Sequence, residues 1–453
     1  MQTPKSLNPI TSLMSGQPTK FSHPHLIRDG QVGYGMELSE LKSRRVRLME
    51  SLENNSIAIL FSAPMRFYSQ NIFHGYRQDS NFLYMTGWNE PESVLVMYKN
   101  NNTIRSTMFC QEKNHRNETW NGPVNGIELA VERFGFDEAF PISQLESHLN
   151  ELVDTTMVTS ADSKTKHSTI KMYVDLPTNK QIQDMRVIKS ENEIKLLQTA
   201  ANISKYGFQY LLKSTKEGVT QDVLATGFEY HSKLGAKELS PLTQIGYVPV
   251  FASGDQNLIL HYVQNNKKLR NGELMLVDAG MEFSGYNADV SRTIPVSGKF
   301  SPPQRDLYNA ILDVLEQSTK LLYESSGNTL NDVHLFSENL MIKNLKKLDF
   351  RSSGIEKDVI RNVLYPHHIS HYLGLSVHDT GSVSRSRKLK AGMVVTVEPG
   401  IYVPYDDMFP KHFQGIGIRI EDNVVVGKTE KDINVLTAEI PKTVEDVEKA
   451  MSQ

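Results

Sequence analysis

The chain has 453 residues, 39% hydrophobic and 22% charged, with a formal net charge of −3. That length favours two domains over one core, and the mild acidity excludes nucleic acid or an anionic membrane held by bulk electrostatics. No apolar run approaches the roughly 20 residues that span a bilayer, and Cys110, the only cysteine, rules out an internal disulfide and points to a reducing compartment.

Residues 1–28 carry Lys5, Lys20 and Arg28 with several Ser and Thr and no acid before Asp29, a composition shared with organelle transit peptides. Pro4, Pro9 and Pro18 would interrupt an amphipathic helix, so a flexible arm over residues 1–30 is the expectation. Residues 31–185 read as a mixed α/β domain. "MELSELKSRRVRLMESL" has helical spacing at Leu38, Leu41, Leu48 and Leu52, interrupted by Arg45. "SIAILFSA" predicts a buried strand, and "SVLVMYKN" and "STMFCQ" predict two more with turn residues between them. Over residues 176–190 the pattern loosens into "LPTNKQIQDMRVIKS", the expected domain junction. A helix then starts cleanly: Ser190 is a good N-cap and Glu193 completes a capping box ahead of Ile194 and Leu197.

Residues 186–453 alternate helices with short strands that end in acids. "ELMLVDAG" and "MVVTVEPG" share a form: an apolar run, an acid, a small residue or proline, then Gly. The match hints at internal two-fold pseudo-symmetry, although two unrelated buried strands would read the same way. Asp278 and Asp289 flank "AGMEFSGYNA". A hairpin turning at Glu282–Gly285 would set these aspartates directly opposite each other, where like charges are destabilising and a cation is expected between them. Glu398 follows "MVVTV". Glu421 lies in "GIGIRIEDNVVV", where Ile416, Ile418 and Ile420 share one face of a strand and Arg419 and Glu421 the other. A charged face on a buried strand is costly unless paired or metal-bound, and Arg419 can offset part of that cost and orient Glu421. Four carboxylates match two dications and offer hard oxygen ligands. That set favours Mn²⁺, with Co²⁺, Fe²⁺ or Zn²⁺ as substitutes, over a thiolate-type zinc site.

Of the 14 histidines, four fall in "PHHISHYLGLSVHDTG": His367, His368, His371 and His378. A lone H-x-x-x-H is weak evidence for a metal, and Pro366 with the mixed composition after it does not favour one long helix. All four could not ligate without displacing the carboxylates, so some must serve substrate or proton traffic.

The set "HYVQ", "VDAG…NADVSRT", "HHISHYLGLSVHD", "VEPGIYV" and "GIRIEDN" resembles the aminopeptidase P branch of the M24 metallopeptidases. "YRQDSNFLYMTGWNEPESVLVM" is similar to a segment of their N-terminal domain, and "GQPTKFSHPHL" to their mitochondrial members. The resemblance implies an α/β (α+β) chain: an N-terminal mixed domain, then a C-terminal pita-bread catalytic domain. It implies two divalent cations held by Asp278, Asp289, His371, Glu398 and Glu421, with Asp289 and Glu421 bridging. His261, His367 and His378 would face the substrate, with Arg419 and Tyr402 in support. His368, where bacterial-type members usually have Gly, has no role. The implied reaction is attack of metal-activated water on the first peptide bond. His378 or His261 would hydrogen-bond the oxyanion and Glu398 would carry a proton towards the leaving nitrogen.

The implied partners are peptide or protein N-termini, with no nucleic acid and no membrane span, in a homodimer. The implied setting is the mitochondrial matrix, trimming imported proteins after presequence removal; a cytoplasmic peptidase is the alternative. A prolidase would use the same metals on dipeptides. A methionine aminopeptidase normally lacks so large an N-terminal domain. A non-catalytic peptide-binding relative would be expected to lose ligands, and here all five positions are filled.

Overall fold

The computed structural model describes residues 15–452 apart from 102, 153–170, 175, 349 and 351–356, and the chain divides into two units, Met1–Arg186 and Val187–Gln453.

In the first unit, helix α1 (Leu38–Glu50) buries Leu41, Leu48 and Met49. Arg45, which breaks the leucine stripe, is buried with them. Its guanidinium donates to the carbonyls of Met85, Phe134 and Gly135 at 3.1–3.2 Å. These bonds supply what a buried charge needs, so the interruption is a polar anchor within the core. The predicted strands form a five-stranded sheet: β1 (Ser56–Phe61), β2 (Val94–Asn100), β3 (Thr103–Cys110), β4 (Glu138–Pro141) and β5 (Lys171–Val174), in the order β4-β3-β2-β1-β5. The central pairs are antiparallel and the two outer pairs parallel.

One expectation meets a different structure. The arm expected over residues 1–30 is packed from Ser15 onward: Thr19, Leu26 and Ile27 are buried, and Arg133 donates to the carbonyls of Gln17 and Pro18. Residues 1–14 lie outside the described residues. The division at Arg186/Val187 falls within the expected junction over residues 176–190, and helix α2 (Leu176–Arg186) fills most of that stretch. Ile182 is fully buried and Arg186 donates to Asn81 at 2.5 Å, so tertiary contacts override a weak local pattern.

In the second unit, helix α3 (Glu191–Ser214) begins with the predicted capping box, with Glu193 N donating to Ser190 Oγ and Ser190 N to the Glu193 carboxylate. Gly207 lets α3 pack closely on helix α4 (Gln221–Ala236), because a Cβ there would sit 2.4 Å from Phe228. Strands β6 (Val250–Ser253), β7 (Leu274–Asp278) and β8 (Ser291–Pro295) form an antiparallel sheet with β7 central. A second pair joins β9 (Val394–Val397) to β12 (Asp422–Val425), and a third joins β10 (Gly400–Tyr402) to β11 (Gly417–Arg419). Both similar runs therefore become strands that stop at their acids, Asp278 and Glu398. The run around Glu421, expected as one strand, is two, broken at Ile420–Glu421.

Candidate metal centre

Asp278 closes β7 and Asp289 precedes β8, but the two are not directly opposed. Phe283 pairs with Tyr286 and Glu282 with Asn287, so the turn is Ser284–Gly285, both at positive φ (50° and 89°). The register carries through to Asp278 facing Ser291. Asp289 is two residues from Ser291, hence on the same face and diagonal to Asp278. The carboxylates still converge: Tyr247 Oη lies 2.6 Å from Oδ1 of each. A phenol has one proton, so it can satisfy only one of them. Burial, then the two aspartates, pushes the Tyr247 hydroxyl well above its ordinary range.

Arg419 connects the next layer. Its guanidinium donates to Asp278 Oδ2 (2.7 Å), Tyr402 Oη (2.8 Å) and Ser291 Oγ (2.9 Å). Ser291 Oγ in turn donates to Glu421 Oε2 at 2.7 Å. Arg419 thus steadies Asp278 directly, and its hydrogen-bonded link to Glu421 runs through Ser291. Glu421 Oε1 is buried and has no hydrogen-bond partner among the described residues.

The histidine segment is irregular, bent through Tyr372, which bridges to both Asp379 and Val395. His371 Nδ1 lies 3.0 Å from the Tyr372 carbonyl and donates to it. That aims Nε2 at Asp289 Oδ2 (3.3 Å) and Glu398 Oε1 (3.5 Å). Burial opposes a charge on this ring, but Asp289 and Glu398 hold its pKa up at about 9. Ligand atoms of Asp289, His371 and Glu421 all lie within 4.8 Å of one another. Burial raises Asp278, Glu398 (to about 7) and Glu421 above the ordinary carboxylate range.

These residues fit divalent cations. Glu421 Oε1 is buried without a partner among the described residues, two aspartates share one phenol, and His371 Nε2 faces two carboxylates, so acceptors outnumber donors in this site. Oxygen donors with one imidazole suit a hard or borderline dication.

Around this centre is a cavity of about 610 Å³ lined by all five ligand candidates and by His261, His367, His368, His378 and Arg419. His261 is exposed at the cavity. The His378 ring stands edge-on to His371, with centroids 4.4 Å apart; burial, then His371, holds its pKa down. His367 is tied at both nitrogens. Nδ1 donates to the His368 carbonyl (3.2 Å), and Nε2 accepts from Tyr402 Oη (3.0 Å). Burial, then Arg419, lowers its pKa to about 3, so it is a neutral ring of fixed orientation. His368 stacks on His334 at 4.3 Å. Sequence patterning had missed Tyr247 and Ser291. Neither has a local signal, although two facing aspartates implied that some donor must reach them.

The description of metallopeptidase family M24 matches residues 195–428, and that of the aminopeptidase P N-terminal domain matches residues 41–159. Xaa-Pro aminopeptidase 3 of Mus musculus is 33% identical over 99% of this chain and 93% of its own. The mitochondrial intermediate cleaving peptidase 55 of Arabidopsis thaliana is 34% identical over 96% and 87%. Among solved structures, zinc-substituted E. coli aminopeptidase P in complex with product superposes with a TM-score of 0.81. It is 31% identical, covering 92% of this chain and 98% of that one.

Proposed function

Because the chain belongs to metallopeptidase family M24, we propose that it is a metallo-aminopeptidase releasing one residue at a time from the N-terminus of peptides or proteins. Its catalytic unit is residues 186–453 and its N-terminal α/β domain residues 31–185. The observation that carries this is that Asp278, Asp289, His371, Glu398 and Glu421 line one cavity in which Glu421 Oε1 is buried without a hydrogen-bond partner among the described residues.

Those five residues would hold two divalent cations, with Mn²⁺ the best match to the oxygen-rich set. Such cations, when bound, polarise a carbonyl and lower the pKa of water towards neutrality. The protein's own groups supply the rest. Arg419 and Tyr247 fix the aspartates, so the ligands need no reorganisation. His378 and His261 line the cavity, where they donate hydrogen bonds to the oxygen that gains charge in the transition state. Glu398 moves a proton towards the leaving nitrogen. His367, locked by Tyr402, presents a neutral wall to the residue after the scissile bond.

Similarity to the mitochondrial Arabidopsis peptidase supports a further reading: the enzyme trims imported proteins in the mitochondrial matrix after their presequences are removed. Mass spectrometry of long peptides, N-acetylated copies and dipeptides tests the activity. The expected result is a single residue lost from free N-termini only. Cleavage of dipeptides alone would make the enzyme a prolidase.

A further inference from the structure

Lys189 and Asp379 form an ion pair outside the ligand set: Lys189 Nζ lies 3.1 Å from Asp379 Oδ2, and both side chains are 1% exposed. Each charge buried there costs several kcal/mol of desolvation, so the pair is an expensive way to hold a loop that an apolar contact could hold. Its placement gives the reason. Asp379 directly follows His378, and it closes the loop whose other end is His371. Asp379 N donates to the Tyr372 carbonyl (2.9 Å) and Asp379 Oδ1 accepts from Ser376 N (3.2 Å). The loop packs directly on the pair at Gly374, where a Cβ would lie 2.6 Å from Asp379 Oδ2 and 3.0 Å from Lys189 Cε.

The segment that carries Lys189 reaches the other ligand-bearing elements too. Lys189 N donates to the Gly392 carbonyl (2.8 Å), and Ile188 bridges to Met393, just ahead of the strand that ends at Glu398. Four residues on, Glu193 accepts from Tyr286 Oη (2.8 Å) in the hairpin between Asp278 and Asp289. The Gly374 carbonyl accepts from Asn287 N (2.9 Å), joining that hairpin to the histidine loop. Residues 188–193 therefore touch all three pieces of chain that supply the first four ligands.

We propose that Lys189 and Asp379 are positioning residues. Their buried ion pair sets the separation and orientation of His371 and His378, and so sets how well the centre binds metal and how well His378 meets the substrate. The inference rests on the ligand assignment above. Groups behind metal ligands typically change metal affinity or activity by roughly 10–100-fold when removed.

The test uses the full chain and measures Zn²⁺ affinity by chelator competition, alongside urea unfolding and peptide turnover at saturating metal. Lys189→Met strands a buried carboxylate and should lower stability as well as affinity. Lys189→Met/Asp379→Asn removes both charges together. Positioning predicts that this double variant regains stability, yet binds Zn²⁺ roughly 10–100-fold more weakly with kcat reduced and KM little changed. Gly374→Ala pushes on the intact pair from the other side, and should weaken Zn²⁺ binding even if the double variant does not fold. A stable double variant, or Gly374→Ala, with wild-type Zn²⁺ affinity and kcat would overturn the proposal. Wild-type protein that takes up no Zn²⁺ would instead overturn the ligand assignment, and the inference with it.

Discussion

Replacing Arg419 by lysine keeps the charge and removes the fork. The guanidinium is 4% exposed and reaches three side-chain acceptors, Asp278, Tyr402 and Ser291, at 2.7–2.9 Å. One ammonium on a flexible stem cannot meet three acceptors arranged around a plane. If it keeps Asp278, Tyr402 and Ser291 lose their donor. At roughly 1.5–3 kcal/mol for each hydrogen bond to a charged group, losing two makes Arg419→Lys cost about 3–6 kcal/mol. Urea unfolding of metal-free protein isolates this from any change in metal affinity. The damage should also travel: Tyr402 without Arg419 no longer fixes His367, and Ser291 no longer fixes Glu421, so metal affinity and turnover should both fall. A variant whose stability lies within about 0.5 kcal/mol of wild type, the range of neutral surface changes, would refute the idea that the fork organises the site.

Chelation should abolish peptidase activity and Mn²⁺ or Co²⁺ should restore it; full activity in metal-free protein would end the mechanism proposed. His371→Ala should lose metal. His378→Ala should keep it and lose about 10²–10³ in kcat, so an empty site in the latter, by elemental analysis, would reverse the two roles. Glu90, buried in the N-terminal unit, has its pKa raised from 4.5 to about 7 by burial, so the folded chain holds that proton more tightly than the unfolded one. Its stabilising contribution is complete below pH 4.5 and lost as pH rises through 7. Between those limits wild type should lose on the order of 3 kcal/mol relative to Glu90→Gln, and parallel stability curves for the two would count against this.

Much of the fold was legible because its signals are local. A capping box is three residues long, and Ser190 with Glu193 announced α3 correctly. Runs such as "SIAILF" became buried strands because apolar β-branched residues suit a sheet interior. Arg45 and α2 were not legible for the opposite reason. Arg45 is buried because carbonyls 40 to 90 residues away accept from it, and α2 is held by contacts to residues such as Asn81. Nothing within a helical turn of either position records those partners.

The aspartate pair shows how a local error can leave the chemistry intact. Ser284–Gly285 is a two-residue turn with both φ positive, the geometry that hairpins favour. The expected turn, over Glu282–Gly285, is centred one residue earlier than the observed one. A turn centre displaced by one residue shifts every partner by two, and two is the period of a strand. Asp289 was therefore misplaced along the strand but not across it, and stayed on the face it shares with Asp278. The face is what a metal requires. Patterning could not give the distance to Tyr247, which lies 31 and 42 residues from the two aspartates. Asp278 and Glu398 stand out in sequence as candidate ligands because each ends an apolar run with a charge, whereas His371 is singled out only by the resemblance to the family. The groups that orient them, Tyr247, Ser291 and Lys189, carry no such contrast with their neighbours and become visible only in three dimensions.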